Sequence, residues 1–274
     1  MKTFYKTLFV LGVILSDSIP SFSQSADDFF YSGVNKTKQN DYKGAIADYT
    51  KAIELNPYNS VLYFSRGITK SELQDYYGAI ADYSKSIELN PNRASAYDNR
   101  GISKSKLQDF NGAIADYTKA IELDPQNAET YYNRGNCKSK LQDFYGAIAD
   151  YTKAIELDLK DASAYGNRGN CKSELQDNYG AIADYTKAIE LDPQNAVTYY
   201  NRGISKSNLQ DNYGAIADIT KAIELNPKEG IFYKLRGLVK INLNQKESAC
   251  LDLSKAGELG DEQAYENIRK YCTQ

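Results

Sequence analysis

The 274-residue chain contains no histidine and no tryptophan, a single methionine and only six prolines. Without imidazole there is no Ser-His-Asp or Cys-His nucleophile pair, no imidazole base and no His-bearing metal site. No Gly-rich phosphate loop is present. Positive charge is not in excess either: 33 Lys and Arg stand against 36 Asp and Glu, a net charge of −3. Nucleic-acid binders instead cluster Lys and Arg against several phosphates. The expectation is therefore a non-enzymatic protein with no cofactor and no nucleic-acid partner. What the chain does have is tyrosine, 24 of them.

The N-terminus reads as an address. Lys2 and Lys6 precede an apolar run at 7–16, and small residues gather at Ser21, Ser23 and Ser25. Charged start, short apolar stretch and small residues at a cut site describe a secretory signal peptide, 1–25, cleaved after Ser23 to Ser25. The run is too short to span a bilayer, which needs roughly 20 residues. Export to the periplasm or beyond is expected, with no stable membrane span after cleavage.

The remainder is one pattern repeated. GAIADYTKAIEL stands at 44–55, 112–123, 146–157 and 180–191, with near copies at 78–89 and 214–225, all in a 34-residue register. Such a period means stacked supersecondary units. In the second half of a unit Ala113, Ile114, Tyr117, Ala120 and Ile121 form one apolar stripe at helical spacing. In the first half Tyr97, Gly101, Lys104 and Leu107 recur at helical intervals, and 108–112 reads as a break. Each unit is a helical hairpin that must stack on its neighbours. Asp116, Lys119 and Glu122 lie three apart and read as a solvated face with weak ion pairs.

These residues resemble the tetratricopeptide repeat, whose pattern Tyr97, Gly101, Ala113, Tyr117, Ala120 and Pro125 match. The glycines from Gly33 to Gly237 mark seven units over 26–263, followed by a capping segment at 264–274. The resemblance implies an all-α superhelix, a solenoid of seven hairpins with a C-terminal capping helix. Departures are regular: the family's Leu before Gly is Arg in six units and Ser32 in the first, its Tyr is Lys throughout, and Leu159 and Asp261 replace the closing Pro.

Function implied by the resemblance is a scaffold that binds protein or peptide segments in the concave face of the first helices. Tyr132, Asn133, Asn136, Asn167, Asn170, Tyr200, Asn201 and Ile204 fall on or beside that face. Tyr132 and Tyr200 are the expected anchors, free of core duty. A glycan-binding groove and a bare envelope spacer are the alternatives. The carboxylate clamp of chaperone-binding members is broken: Asn136 and Asn167 fit, but Tyr132, Val197 and Asn201 occupy its cationic places. Lys38, Lys106, Lys140 and Lys234 against Asp27, Glu72, Asp98, Glu129 and Glu174 predict a groove near neutrality and weak salt dependence. Cys250 and Cys272, in the drifting C-terminal end, suit a disulfide in an exported protein. Cys137 and Cys171 hold equivalent places on adjacent units, too far apart to pair.

N-terminal sequencing of the protein from its native source should find a chain starting at Gln24 or Ala26. Met1 on the bulk of the protein would sink the export reading.

Overall fold

The computed structural model describes residues 24–157 and 161–272, so the leader up to Ser23, and Leu159, lie outside the described residues. Fifteen α-helices and no strand occupy them. They pair as α1 (Ala26–Lys38) with α2 (Tyr42–Leu55), α3 (Ser60–Glu72) with α4 (Tyr76–Leu89), and α5 (Ala94–Lys106) with α6 (Phe110–Leu123). Next come α7 (Ala128–Lys140) with α8 (Phe144–Leu157), α9 (Ala162–Glu174) with α10 (Asn178–Leu191), and α11 (Ala196–Asn208) with α12 (Asn212–Leu225). Last come α13 (Gly230–Asn242) with α14 (Lys246–Glu258), and a single α15 (Glu262–Tyr271). This is the predicted solenoid of seven hairpins and a capping helix. Successive helices pack together, and each first helix also touches the first helix of the next hairpin. The first helices therefore form the inner layer and the second helices the outer one.

The break inside a hairpin is narrower than the 108–112 read from sequence. Gln108 (φ 63°) is left-handed, and Asp109 N–H donates to Lys104 C=O at 2.9 Å, a Schellman-type stop. Asp109 then caps α6 by accepting from Gly112 N–H at 2.9 Å, so Phe110, Asn111 and Gly112 are already helical. A Cβ at Gly112 would collide with that carboxylate, which is why the position is glycine.

Gly101 permits the close approach of paired helices. A Cβ there would lie 2.8 Å from the Tyr117 ring, which is buried beside Ala113 and Ala120. The tyrosine three residues before each arginine has a second use: the Arg100 guanidinium lies over the Tyr97 ring, 5.6 Å from its centroid.

The aspartates of the repeated string are not on a solvated face. Asp116 is 4% exposed and accepts two bonds from Arg100, Nε to Oδ2 at 2.9 Å and Nη2 to Oδ1 at 2.6 Å. Lys104 adds an ion pair at 2.7 Å. The remaining Arg100 nitrogen, Nη1, donates to Ser84 Oγ on the preceding hairpin at 2.9 Å. The same set recurs around Asp82, Asp150, Asp184, Asp218 and Asp252. The family-departing Arg and Lys are thus the partners of this Asp. In the first described hairpin Ser32 donates to Asp48 at 2.6 Å while Lys36 pairs at 2.7 Å. Burial would raise the Asp48 carboxyl; the bonds from Lys36 and Ser32 hold it below its ordinary value. Only the outer part of the ladder, Lys119 with Glu122, is the exposed pair expected.

Both ends are closed. Leu62, Ala96, Thr130, Ala164, Thr198 and Phe232 occupy one register position and are buried. Asp28 replaces them in α1, exposed and locked in a capping box with Ser25. At the other end α15 is capped by Asp261, buries Ala264 and is tied to α14 by a Cys250–Cys272 disulfide, Cα atoms 5.9 Å apart. Cys137 and Cys171 are buried free thiols.

Asp150→Ala strands Arg134 and Lys138 with no counter-charge, and should cost about 3 kcal/mol or more. Glu156→Ala, on the exposed outer side, should leave the melting temperature nearly unchanged. Equal shifts for the two would refute the bridging role.

Candidate functional site

The concave positions are the fifth, sixth and ninth residues of each first helix, brought into rows by the stacking. In the middle units these rows carry amides, and buried tyrosines orient them. Tyr151 donates its hydroxyl to Asn136 Oδ1 at 2.8 Å, and Tyr185 does the same to Asn170 at 2.8 Å. Asn167 Nδ2 donates to Asn136 Oδ1 and to the Tyr132 hydroxyl, each at 3.1 Å. Asn201 Nδ2 donates to Asn170 Oδ1 at 3.0 Å. Oδ1 of Asn167 and Asn201, and Nδ2 of Asn136 and Asn170, keep their hydrogen-bonding capacity for a ligand.

The fifth place holds Tyr132 in α7 and Tyr200 in α11, but Gly166 in the helix between them. Apart from its chain neighbours and the backbone of its own helix, no atom lies within 4 Å of where a Gly166 Cβ would stand. The missing side chain opens a cavity of about 370 Å³ lined by Tyr132, Gly166, Asn167, Asn170, Val197 and Asn201. Ile204, with Asn170 and Asn201, lines an adjoining hollow. Asn133 and Asn136 line another, beside Lys106 and Lys140.

Tyr200 lines none of these cavities. It is half-buried against Phe232, ring centroids 5.0 Å apart, within the core around Ile219 and Ile223. Burial raises its phenol above the ordinary value. Tyr132 faces the cavity, yet its ring also packs on Tyr151 at 5.9 Å. The expectation that both were free of core duty is therefore corrected. Gly166 was expected on the concave face but not among its ligand-binding residues, and Asp192, which also lines the cavity, was not anticipated; a glycine between two ring-bearing equivalents was the available signal.

Four profiles of one family match the chain. A TPR repeat profile covers 104–142, and tetratricopeptide repeat profiles cover 33–59, 48–81, 128–161, 162–195 and 184–217. The chain belongs to the tetratricopeptide repeat family. No curated protein sequence matches it significantly. Among solved structures it is similar to YrrB, titled a TPR protein with an unusual peptide-binding site, at 26% identity and TM-score 0.61, covering 65% of this chain and 92% of that one. It is similar to MamA at 27% identity and TM-score 0.59, covering 62% and 92%. The C-terminal part of a TPR repeat-containing protein from Cytophaga hutchinsonii shares the fold at TM-score 0.72 and 19% identity, covering 87% and 99%.

In this tetratricopeptide repeat array the Gly166 cavity is lined by four residues at the places of the broken clamp, Tyr132, Asn167, Val197 and Asn201. Its charge is the reverse of a carboxylate binder's. Asp192 lines it, Glu129 and Asp161 line a smaller cavity that shares Tyr132, and no described Lys or Arg lines either. Lys234 is held by Asp261 at 2.7 Å, and Lys106 with Lys140 sit at the separate hollow near Asn133. Of the three carboxylates at these cavities only Glu129 entered the near-neutral count made from sequence; Asp161 and Asp192 did not. Asp98, whose one bond is from Thr130 at 2.8 Å, has its carboxyl raised by burial. The thiols of Cys137 and Cys171 are also raised by burial, which lowers their reactivity. Among the described residues no group of His, Cys, Asp and Glu could hold a metal ion.

Tyr132→Ala and Tyr200→Ala should each lower stability by roughly 1–2 kcal/mol, less than the roughly 3 kcal/mol or more for fully buried Tyr117→Ala. Melting curves check the order, and an unchanged Tyr200→Ala melt would contradict its packing on Phe232.

Proposed function

We propose that the chain is a non-catalytic scaffold outside the cytoplasm that holds an extended segment of a partner protein along its concave face, with the Gly166 cavity as the central side-chain socket. The observation that carries this reading is the cavity itself, opened by one glycine and ringed by amides whose orientation is fixed from beneath. Extended backbone offers alternating N–H and C=O groups, and the groove offers free amide oxygens and nitrogens in return. Family membership supports protein–protein interaction, and the likeness to YrrB supports a peptide in particular.

Two features support the location: the leader has the pattern of a signal peptide, and the Cys250–Cys272 bridge suits an oxidising compartment. Cleavage after Ser23 would keep the Ser25 cap of α1, whereas cleavage after Ser25 would remove it.

Gly166→Tyr tests the socket without threatening the fold, because Tyr132 and Tyr200 already occupy the same place in flanking units. Peptides selected from a random library on the mature protein should bind this variant at least about tenfold more weakly, with its melting temperature retained. Unchanged binding, or capture of cell-wall sugars in preference to any peptide, would overturn the reading.

A further inference from the structure

We infer that the Gly166 socket takes a tyrosine side chain of the bound segment, its ring on Tyr185 and its phenol oxygen at Asn201; this rests on the groove reading above and specifies its ligand. The preceding hairpin shows the same place filled. There Tyr132 stands where Gly166 does, and its ring packs on Tyr151, centroids 5.9 Å apart and planes at 53°. The Tyr132 hydroxyl accepts from Asn167 Nδ2 at 3.1 Å, and that nitrogen's other hydrogen goes to Asn136 Oδ1, also at 3.1 Å. Tyr151 closes the set by donating to the same Asn136 oxygen at 2.8 Å.

Around the socket every part of this set recurs but one. Tyr185 donates to Asn170 Oδ1 at 2.8 Å, as Tyr151 does to Asn136. Asn201 Nδ2 donates to the same Asn170 oxygen at 3.0 Å, as Asn167 does to Asn136. Gly166 brings no ring. Tyr185 and Asn201 therefore line the cavity, and the second Asn201 Nδ2 hydrogen has no acceptor among the described residues. What is missing is a ring over Tyr185 and an oxygen at Asn201, the two things that Tyr132 supplies one hairpin earlier.

The ring contact is general to the frame. Phe30 lies on Tyr49 at 6.0 Å and 48°, and Phe64 on Tyr83 at 5.9 Å and 52°. Aromatic pairs in tilted geometry attract beyond their buried area. In the third hairpin Asp98 holds the fifth place and is bonded to Thr130. Only at Gly166 is the place without a side chain, and so open to a ring from outside. A phenylalanine would satisfy the ring contact but leave the Asn201 hydrogen unmet, which selects tyrosine over it.

The test uses the mature protein and two variants, Asn201→Ala and Gly166→Tyr. Other hairpins carry Ser65 and Leu235 in the place of Asn201, so the frame does not require its amide. Peptides selected from a random library on the wild-type protein should carry a tyrosine. The best of them, made with Tyr, Phe or Leu at that position, is titrated against all three proteins, with melting curves alongside. On wild type, Phe should bind about fivefold more weakly than Tyr, the worth of one hydrogen bond. Leu should bind at least about tenfold more weakly than Tyr. Asn201→Ala should erase the difference between Tyr and Phe, whatever it does to both alike, because the coupling belongs to that pair of groups. Gly166→Tyr supplies the ring from the chain itself and should reject the Tyr and Phe peptides together. If selected peptides lack aromatic residues yet are lost on Gly166→Tyr, the groove reading stands and the tyrosine assignment falls. It falls as well if Tyr, Phe and Leu bind wild type alike, or if Tyr keeps its advantage over Phe on Asn201→Ala. Peptides indifferent to Gly166→Tyr overturn both. Should Asn201→Ala melt early, the Tyr, Phe and Leu series on wild type decides alone.

Discussion

The stack depends on one buried aspartate per hairpin. From the second hairpin on, each is held by an Arg and a Lys from the paired first helix, and the same Arg reaches back to a hydroxyl of the previous hairpin. A bidentate guanidinium–carboxylate pair fixes distance and angle together, so one side chain sets both the closure of its own hairpin and the offset to its neighbour. This explains three sequence regularities at once. The family's Leu and Tyr become Arg and Lys because the repeated string carries an Asp that must be neutralised when buried. The residue two places after that Asp is Thr or Ser because the next Arg needs a hydroxyl acceptor. Ser32 breaks the Arg series only in the first described hairpin, where α1 follows no described helix.

A frame that repeats so closely leaves the inner rows free to differ. The outer helices keep Ala, Asp and small hydroxyls, while the fifth place of the first helices changes from ring to carboxylate to glycine. Function by subtraction follows: the socket requires no new loop, only the loss of one ring between two others. Its amides are still not loose. They hang from the hydroxyls of Tyr151 and Tyr185, core residues of the frame, so the stacking that buries those rings also aims the groove. Oriented acceptors cost a ligand less than side chains it must first arrange.

The period, the hairpins and the Gly–Tyr crossing were legible because they are local and repeated. The bridging role of Asp116 was not, because spacing within one helix reveals only same-helix neighbours. Its partner Arg100 lies sixteen residues earlier on another helix, and that constant separation was the readable sign. The Tyr200 assignment failed for a different reason. Tyr132 and Tyr200 are the same residue at the same position, but the next unit presents Ala164 beyond the first and Phe232 beyond the second. The larger ring packs against Tyr200 and draws it into the core. Exposure at a repeat position is thus a property of two successive units, and a residue-by-residue carry-over reads only one.

The closed ends give the socket its meaning as a centre rather than an edge. Asp28 puts a charge where every later unit buries a side chain against its predecessor, so a further hairpin cannot stack there without burying that carboxylate unpaired. At the far end Tyr265 covers Gly257 and donates to its carbonyl at 3.1 Å, filling the place another hairpin would take. Gly166 falls in the fifth of the seven described hairpins. Concave surface extends from the socket in both directions, toward Lys106 and Lys140 on one side and toward α13 on the other. On the reading proposed above, a segment anchored there would have groove on either hand, its position fixed by the side chain in the socket while the rest of the face accepts backbone.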